Sequence, residues 1–330
     1  MFHTDNQPDN SLGYAFVFVC QQGDLEGLSL LLAASLKRFL KGQYELIAAV
    51  PLPAEKWGQL APETLATFKQ MGVRIEYFKN PRPRDIKGNP LTNKIYSLQI
   101  PTQMNKLIFL DSDLLCLRDF DPEGQFKCPV SAAPTFRATG RNWEEIYQAV
   151  SAEVPSTRIK TLFSDELQPP YFNSGFIAID THLASDLTAM WLDCFEKIDR
   201  SGAMSNNLYF REQVSLAVAI TKLQYQYDLL DARYNYWVRY KPLEANNLPY
   251  FLHHTWPHPP VYDQPYLKQL VRSLIQSYPT IKPFVQRCRW KYYLRPDLLV
   301  NINRLAYQNR HTLSKFGGQP LTTWMINGHL

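Results

Sequence analysis

KLIFLDSDLLCLRDF, residues 106–120, opens on Leu107 to Leu110, a short apolar run with the β-branched and aromatic character of a buried strand. The run stops at two aspartates one residue apart. Side chains alternate along a strand, so Asp111 and Asp113 face the same way if the extension continues, with Ser112 opposite. Two carboxylates then converge at the carboxyl end of a core strand. That pair suits a hard divalent cation, Mn²⁺ or Mg²⁺, and such an ion commonly holds a diphosphate. Taken alone, the motif also describes a strand-end turn in which Asp111 caps and Asp113 is solvated.

The residues upstream supply the context. Tyr14 to Cys20 (YAFVFVC) has the composition of a central strand buried on both faces. After QQGD, leucines at 25, 28, 32, 36 and 40 mark one face of a helix that Asp24 caps. Glu45 to Val50 reads as a second strand, Ala54 to Gln70 as a helix and Val73 to Phe78 as a third strand. This alternation predicts an α/β fold, a mostly parallel sheet flanked by helices and joined by right-handed crossovers. The loop KNPRPRDIKGNP is too rich in Pro and Gly to be regular, and Leu91 to Thr102 reads as a short helix before the acidic strand. Ligands of open α/β sheets gather at the carboxyl ends of the strands. Here those ends carry Gln21 to Asp24, Lys79 to Pro81 and the aspartate pair, which is the arrangement of a nucleotide site.

Downstream, Asp121 to Pro170 reads as an excursion over the sheet, an acceptor-binding lid with one helix at Asn142 to Ala152. YFNSGFIAID, Tyr171 to Asp180, is a turn leading into a strand. Helices follow at Leu183 to Ile198 and Arg211 to Lys222, then a strand or edge segment at Leu229 to Trp237, and YFLHHTWPHPP at Tyr250 to Pro260 closes the region. The remainder reads as helices at Asp263 to Tyr278 and Leu299 to Lys315, joined by the basic, aromatic CRWKYYLRP.

Composition narrows the class. With 330 residues, 45% of them hydrophobic, the chain can bury a sizeable core. No apolar run reaches the length of a membrane span and the first residues lack a signal-peptide pattern, so the expectation is a cytoplasmic protein. Five scattered cysteines without a CxxC pair read as buried thiols. Val261 to Leu330 carries ten Lys or Arg against two acids, +8, which leaves −3 for the first 260 residues of a chain whose net charge is +5. The tail is thus expected to be a distinct basic region favouring an anionic acceptor or peripheral contact with the inner membrane surface, and RCRWKYYLRP reads equally as part of a helix pair packed against the catalytic domain. Nucleic acid is disfavoured as a partner, because the positive charge is modest and confined to that tail.

In their order and spacing, NKIYSLQI, IFLDSD, YFNSG before a strand, EQ opening a helix and a late histidine segment after YNYW resemble the glycosyltransferases of the GT-A fold, most closely family 8, the glycogenin-like nucleotide-sugar transferases. The resemblance covers Tyr14 to Pro260. It implies a GT-A-like domain over 12–260 with a basic helical extension over 261–330. It also implies transfer of a hexose from a nucleotide diphosphate sugar, a UDP-sugar, to a glycan, lipid-linked or small-molecule hydroxyl acceptor, with retention of anomeric configuration.

By that resemblance Asp111, Asp113 and a histidine bind Mn²⁺ or Mg²⁺; the register favours His253 over His254. Lys94 becomes a cation beside the leaving diphosphate, although on its own it reads equally well as a solvated helix lysine. Gln21 and Ser112 fall on the donor side. Asn173, Ser174 and Gly175 approach the donor sugar, and Glu212 and Gln213 lie beside the reacting carbon, where a carboxylate stabilises oxocarbenium-like charge. Glu212 is also the candidate nucleophile if retention uses a covalent intermediate. The chain departs from the family in two places. Trp256 and Pro259 stand where a glycine and a phosphate-gripping lysine are usual, with Arg233, Arg239 and Lys241 as candidate replacements, and Ala217 stands where an asparagine is common. A nucleotidyltransferase and a non-catalytic sugar-nucleotide or glycan-binding protein are the competing classes.

Overall fold

A computed structural model describes residues 13–82, 91–138, 140–205, 210–238, 242–254 and 264–295. In chain order its first half runs β1 (Tyr14–Val19), α1 (Asp24–Phe39), β2 (Tyr44–Leu52), α2 (Ala54–Trp57), α3 (Pro62–Met71), β3 (Arg74–Lys79), α4 (Thr92–Ser97), β4 (Lys106–Leu110) and β5 (Leu114–Cys116). Next come β6 (Val130–Pro134), α5 (Trp143–Ala149), β7 (Ile159–Lys160), β8 (Leu167–Gln168), β9 (Phe172–Asp180), α6 (Ala184–Ser201), α7 (Arg211–Lys222), β10 (Tyr227–Leu229) and β11 (Phe251–His253). Helices α8 (Pro265–Ser277) and α9 (Lys282–Val285) follow.

Seven strands form one sheet in the order β10-β6-β9-β4-β1-β2-β3. Strands β4, β1, β2 and β3 are mutually parallel, as the alternating pattern predicts. Strand β9 runs antiparallel between β4 and β6, so the sheet is mostly rather than wholly parallel. Along β1, Phe16 and Phe18 enter one apolar layer while Ala15, Val17 and Val19 enter the other. The strand is therefore buried on both faces, with helices covering each side. This is the mixed α/β architecture expected of a GT-A-like fold.

Several local expectations are corrected. The helix over 54–70 is two helices, because Gly58 adopts φ 88° and Pro62 starts a new one. Asp24 is the first residue of α1 and not its cap; that position belongs to Gly23 (φ 98°), whose N–H reaches the Glu26 carboxylate at 3.3 Å. Phe172 to Asp180 is strand throughout, so Asn173, Ser174 and Gly175 lie inside β9 instead of in a turn. Leu229 to Trp237 is the end of β10 followed by a 3₁₀ turn at Ala232–Tyr234. Cys128 is only half-buried, while the other four cysteines are buried and all five are free thiols. Among the described residues no helix is long and apolar enough to cross a membrane. The expected helix over 299–315 lies outside the described residues.

The described part of the tail packs against α1. Ile281, Val285, Cys288, Trp290 and Tyr293 join the same apolar layer as the α1 leucines, and Trp290 and Tyr293 are almost wholly buried. Gly27 of α1 permits the approach: a Cβ there would sit 2.5 Å from the Phe284 carbonyl oxygen. A Gly27→Ala substitution should accordingly force backbone apart and cost about 1–3 kcal/mol despite its better helix propensity. Thermal unfolding checks this, and a raised midpoint would mean that α1 and the tail are not in close contact.

Candidate active site

The acidic motif does not continue the extension of β4. Leu114 N–H bonds the Asp111 carbonyl at 3.0 Å, closing a turn over residues 111–114. Asp111 is held at the strand end by its N–H on the Gly175 carbonyl of β9 (2.8 Å), and Asp113 leads into β5. The carboxylates converge through a turn instead of through strand alternation. Ser112 points away, its hydroxyl donating to the Val19 carbonyl at the end of β1.

Strand β5 pairs antiparallel with β11, placing His253 opposite Leu114 and beside Asp113. His253 Nε2 lies 3.1 Å from Asp113 Oδ1 and 3.8 Å from Asp111 Oδ2. One ligand atom from each of the three residues lies within 4.8 Å of the others. The other ring nitrogen, Nδ1, is 2.7 Å from Asn235 Oδ1, which directs Nε2 toward the aspartates. Asn235 in turn donates to Asn173 Oδ1 (2.6 Å), which also accepts the Gly175 N–H (2.9 Å). Gly175 is the floor of this cluster. A Cβ there would come within 2.9 Å of His253 Cε1 and 3.1 Å of Asp111 Oδ2, so the histidine and the aspartate can meet only over a glycine.

On the opposite side of Asp111 lies a buried cation. Lys94 is 6% exposed, so the reading as a solvated helix lysine is overturned. Its Nζ is 2.9 Å from Asp111 Oδ1 and 3.4 Å from Glu212 Oε1, and it donates to Ser174 Oγ at 3.1 Å. The Ser174 hydroxyl in turn donates to Glu212 Oε2 at 2.8 Å. Burial raises the Glu212 carboxyl above its usual range, with Lys94 opposing and Asp111 adding to the rise. Asp113 goes the other way: burial alone would raise it, but His253, Arg289 and Lys94 hold it well below the usual carboxylate range. Gln213 donates to the Tyr171 hydroxyl at 2.6 Å, and Gln21 accepts from Asn93 at 3.1 Å in an amide cluster at the ends of β1 and β3.

His254, the other candidate ligand, follows the end of β11, its N–H on the Asp113 carbonyl at 3.1 Å. Burial and the nearby Arg289 lower it to about 3, so its ring is neutral, and it stacks on Trp290 with centroids 4.4 Å apart. Of the candidate replacements for the phosphate lysine, Arg233 is tied to Asp231 at 2.6 Å, while Arg239 and Lys241 lie outside the described residues, as do Trp256 and Pro259.

Two residues at the site escape a reading by motif. Asn235 sits in YNYW, a segment whose aromatic character hides one buried amide. Arg289 belongs to the basic tail, yet its Nη1 lies 2.8 Å from Asp113 Oδ2 and donates to the His254 carbonyl at 2.8 Å. Only a third helical segment folding back onto α1 brings it there, and nothing local in the sequence encodes that contact.

The donor set, two carboxylates and an imidazole with a fixed outer partner, could hold a divalent metal ion. Residues 16–224 match the family model of a Rhodobacterales glycosyltransferase domain, more than half of the chain. The matched span runs from β1 through α7. It includes Lys94, the aspartates, Asn173 to Gly175, Glu212 and Gln213, but not Asn235, His253 or Arg289. No curated protein is significantly similar to the chain.

Removing the Lys94 charge while both neighbouring carboxyls stay should be costly. Lys94→Met is expected to lose about 3–5 kcal/mol of stability, and Glu212→Gln added to it should recover part of that loss. A double-mutant cycle by denaturant unfolding measures the coupling. Strict additivity would contradict the pairing.

Proposed function

The chain belongs to the Rhodobacterales glycosyltransferase domain family, and from that premise we propose that it moves a hexose from a UDP-sugar to a hydroxyl acceptor with the help of a bound divalent cation. The observation that carries this reading is the meeting of Asp111, Asp113 and His253 beside the buried Lys94. Breaking the bond from the anomeric carbon to the diphosphate oxygen leaves negative charge on the departing nucleoside diphosphate. A divalent ion held by the three side chains would neutralise that charge.

The fixed charges favour such an ion. Asp111, Asp113 and Glu212 set three carboxyl groups against the cations of Lys94 and Arg289. With all three ionised, the site repels a diphosphate until more positive charge is added. In this reading Lys94 keeps Asp111 and Glu212 in place and screens them from each other. Ser174 and Asn173 present polar atoms from β9 toward the sugar, and Gln213 orients it together with Tyr171. Glu212 faces the anomeric carbon, where it stabilises oxocarbenium-like charge; the resemblance to family 8 supports retention, with Glu212 as nucleophile if a covalent intermediate forms. The acceptor is a glycan, a lipid-linked or a small-molecule hydroxyl, and the described part of the extension reaches the site through Arg289.

The experiment is release of free UDP from a panel of UDP-sugars, with and without Mn²⁺, by the wild type and Asp113→Ala. Metal-dependent release from one sugar, lost by at least a hundredfold in the variant, is the expected outcome. Release of pyrophosphate would instead indicate a nucleotidyltransferase, and metal-dependent UDP binding without turnover on any donor would indicate a binding protein. The outer partner of His253 gives a separate check. Asn235→Ala should weaken Mn²⁺ binding by about tenfold to a hundredfold in titration calorimetry, and an unchanged affinity would remove His253 from the ligand set.

A further inference from the structure

The tail contributes a cation to the site from outside the span that matches the family. We propose that Arg289 is the diphosphate-binding residue of this protein, supplied by the C-terminal extension in place of the lysine that the histidine segment lacks. The proposal rests on the reading of the site as one for a metal-held diphosphate.

Three features of Arg289 support it. First, the Asp113 carboxylate divides its oxygens: Oδ1 faces His253 at 3.1 Å and Oδ2 faces Arg289 at 2.8 Å. The guanidinium therefore stands beside the Asp111–Asp113–His253 cluster without displacing it. A diphosphate bridging from an ion at that cluster would arrive next to the guanidinium, whose planar fork matches pairs of phosphate oxygens. Second, the Arg289 side chain is 31% exposed whereas the Lys94 side chain is 7% exposed. Arg289 is thus the more accessible of the two cations, and Lys94 is enclosed between two carboxyls. Third, the backbone carrying Arg289 is anchored. The 3₁₀ turn Arg289–Leu294 buries Trp290 and Tyr293, whose rings contact each other and His254, the residue that follows His253 of β11. Arg289 Nη1 also donates to the His254 carbonyl. The same short strand thus positions the histidine and the arginine together.

A second role is available to the contact, that of a counter-ion whose only work is to hold Asp113 and the tail in place. The two roles differ in sign. If Arg289 only orders Asp113, its loss weakens the metal and the diphosphate together. If it binds the diphosphate, its loss removes a cation competing for Asp113, so Mn²⁺ alone binds at least as tightly while the diphosphate binds more weakly.

The test uses the full chain as wild type, Arg289→Ala and Arg289→Lys, with circular dichroism and thermal unfolding to verify the fold. Titration calorimetry gives the affinity for Mn²⁺ alone, for inorganic pyrophosphate with saturating Mn²⁺, and for UDP with saturating Mn²⁺. For Arg289→Ala the expected result is an undiminished Mn²⁺ affinity with pyrophosphate weakened by roughly tenfold to a hundredfold. Arg289→Lys should fall between, because a point charge lacks the fork. Pyrophosphate affinity within twofold of wild type, a parallel loss of Mn²⁺ and pyrophosphate, or a wild type that binds no pyrophosphate with Mn²⁺ would each overturn the assignment. A wild type that binds Mn²⁺ and pyrophosphate but not UDP would refute the choice of nucleotide in the proposed function and leave the role of Arg289 standing.

Discussion

The site is organised around one buried ammonium. Lys94 comes from α4, Asp111 from the end of β4, Ser174 from β9 and Glu212 from the first turn of α7, and Nζ lies within 3.4 Å of all three partners. A lysine taken out of water must be compensated, and so must two carboxyls brought near each other in a poorly solvated place. Each solves the other's problem, so four elements from distant parts of the chain have one low-energy arrangement. Glu212 retains a raised carboxyl even so, because Lys94 is shared and burial dominates. The arrangement is tolerant of one further cation on the far side of Asp111 and intolerant of another anion arriving without one.

That far side is built by backbone and packing more than by charge. The absence of a side chain at Gly175 lets His253 and Asp111 meet, and the small β5–β11 pair fixes the register that presents His253 inward and His254 outward. His254 then serves as an apolar ring in a stack with Trp290 and Tyr293, for which its neutral state is suited. The extension is consequently coupled to the site twice, through that stack and through Arg289 on Asp113. One of its cations, Arg289, thus has a partner within the protein.

Much of this was legible in the sequence where the signal is short-range. The apolar run of Leu107 to Leu110 and the repeated strand and helix pattern before it specify the parallel half of the sheet, because burial on both faces leaves little choice of residue. The aspartate pair and the Asn-Ser-Gly, Glu-Gln and histidine segments mark side chains that the fold does gather at one place, with Ser112 as the exception. Strand alternation predicts that it faces opposite the aspartates, and it does so, although through a turn, with its hydroxyl on the Val19 carbonyl. What could not be read is long-range. Whether Lys94 is solvated depends on Ser174 of β9 and Glu212 of α7 meeting its ammonium from far along the chain, and Arg289 meets Asp113 across 176 residues of chain. FNSG looks like a turn because Asn and Gly favour turns; two neighbouring strands hold it extended instead.

The claim on which the account turns is that a cation is held by His253 together with the two aspartates. Pulsed electron paramagnetic resonance of the Mn²⁺-loaded protein, produced with ¹⁵N-labelled histidine, tests it directly. The account predicts a ¹⁵N coupling from one directly bound imidazole that disappears in His253→Gln while weaker Mn²⁺ binding persists through the carboxylates. Absence of any nitrogen coupling in the wild type, or its survival in His253→Gln, would contradict the account.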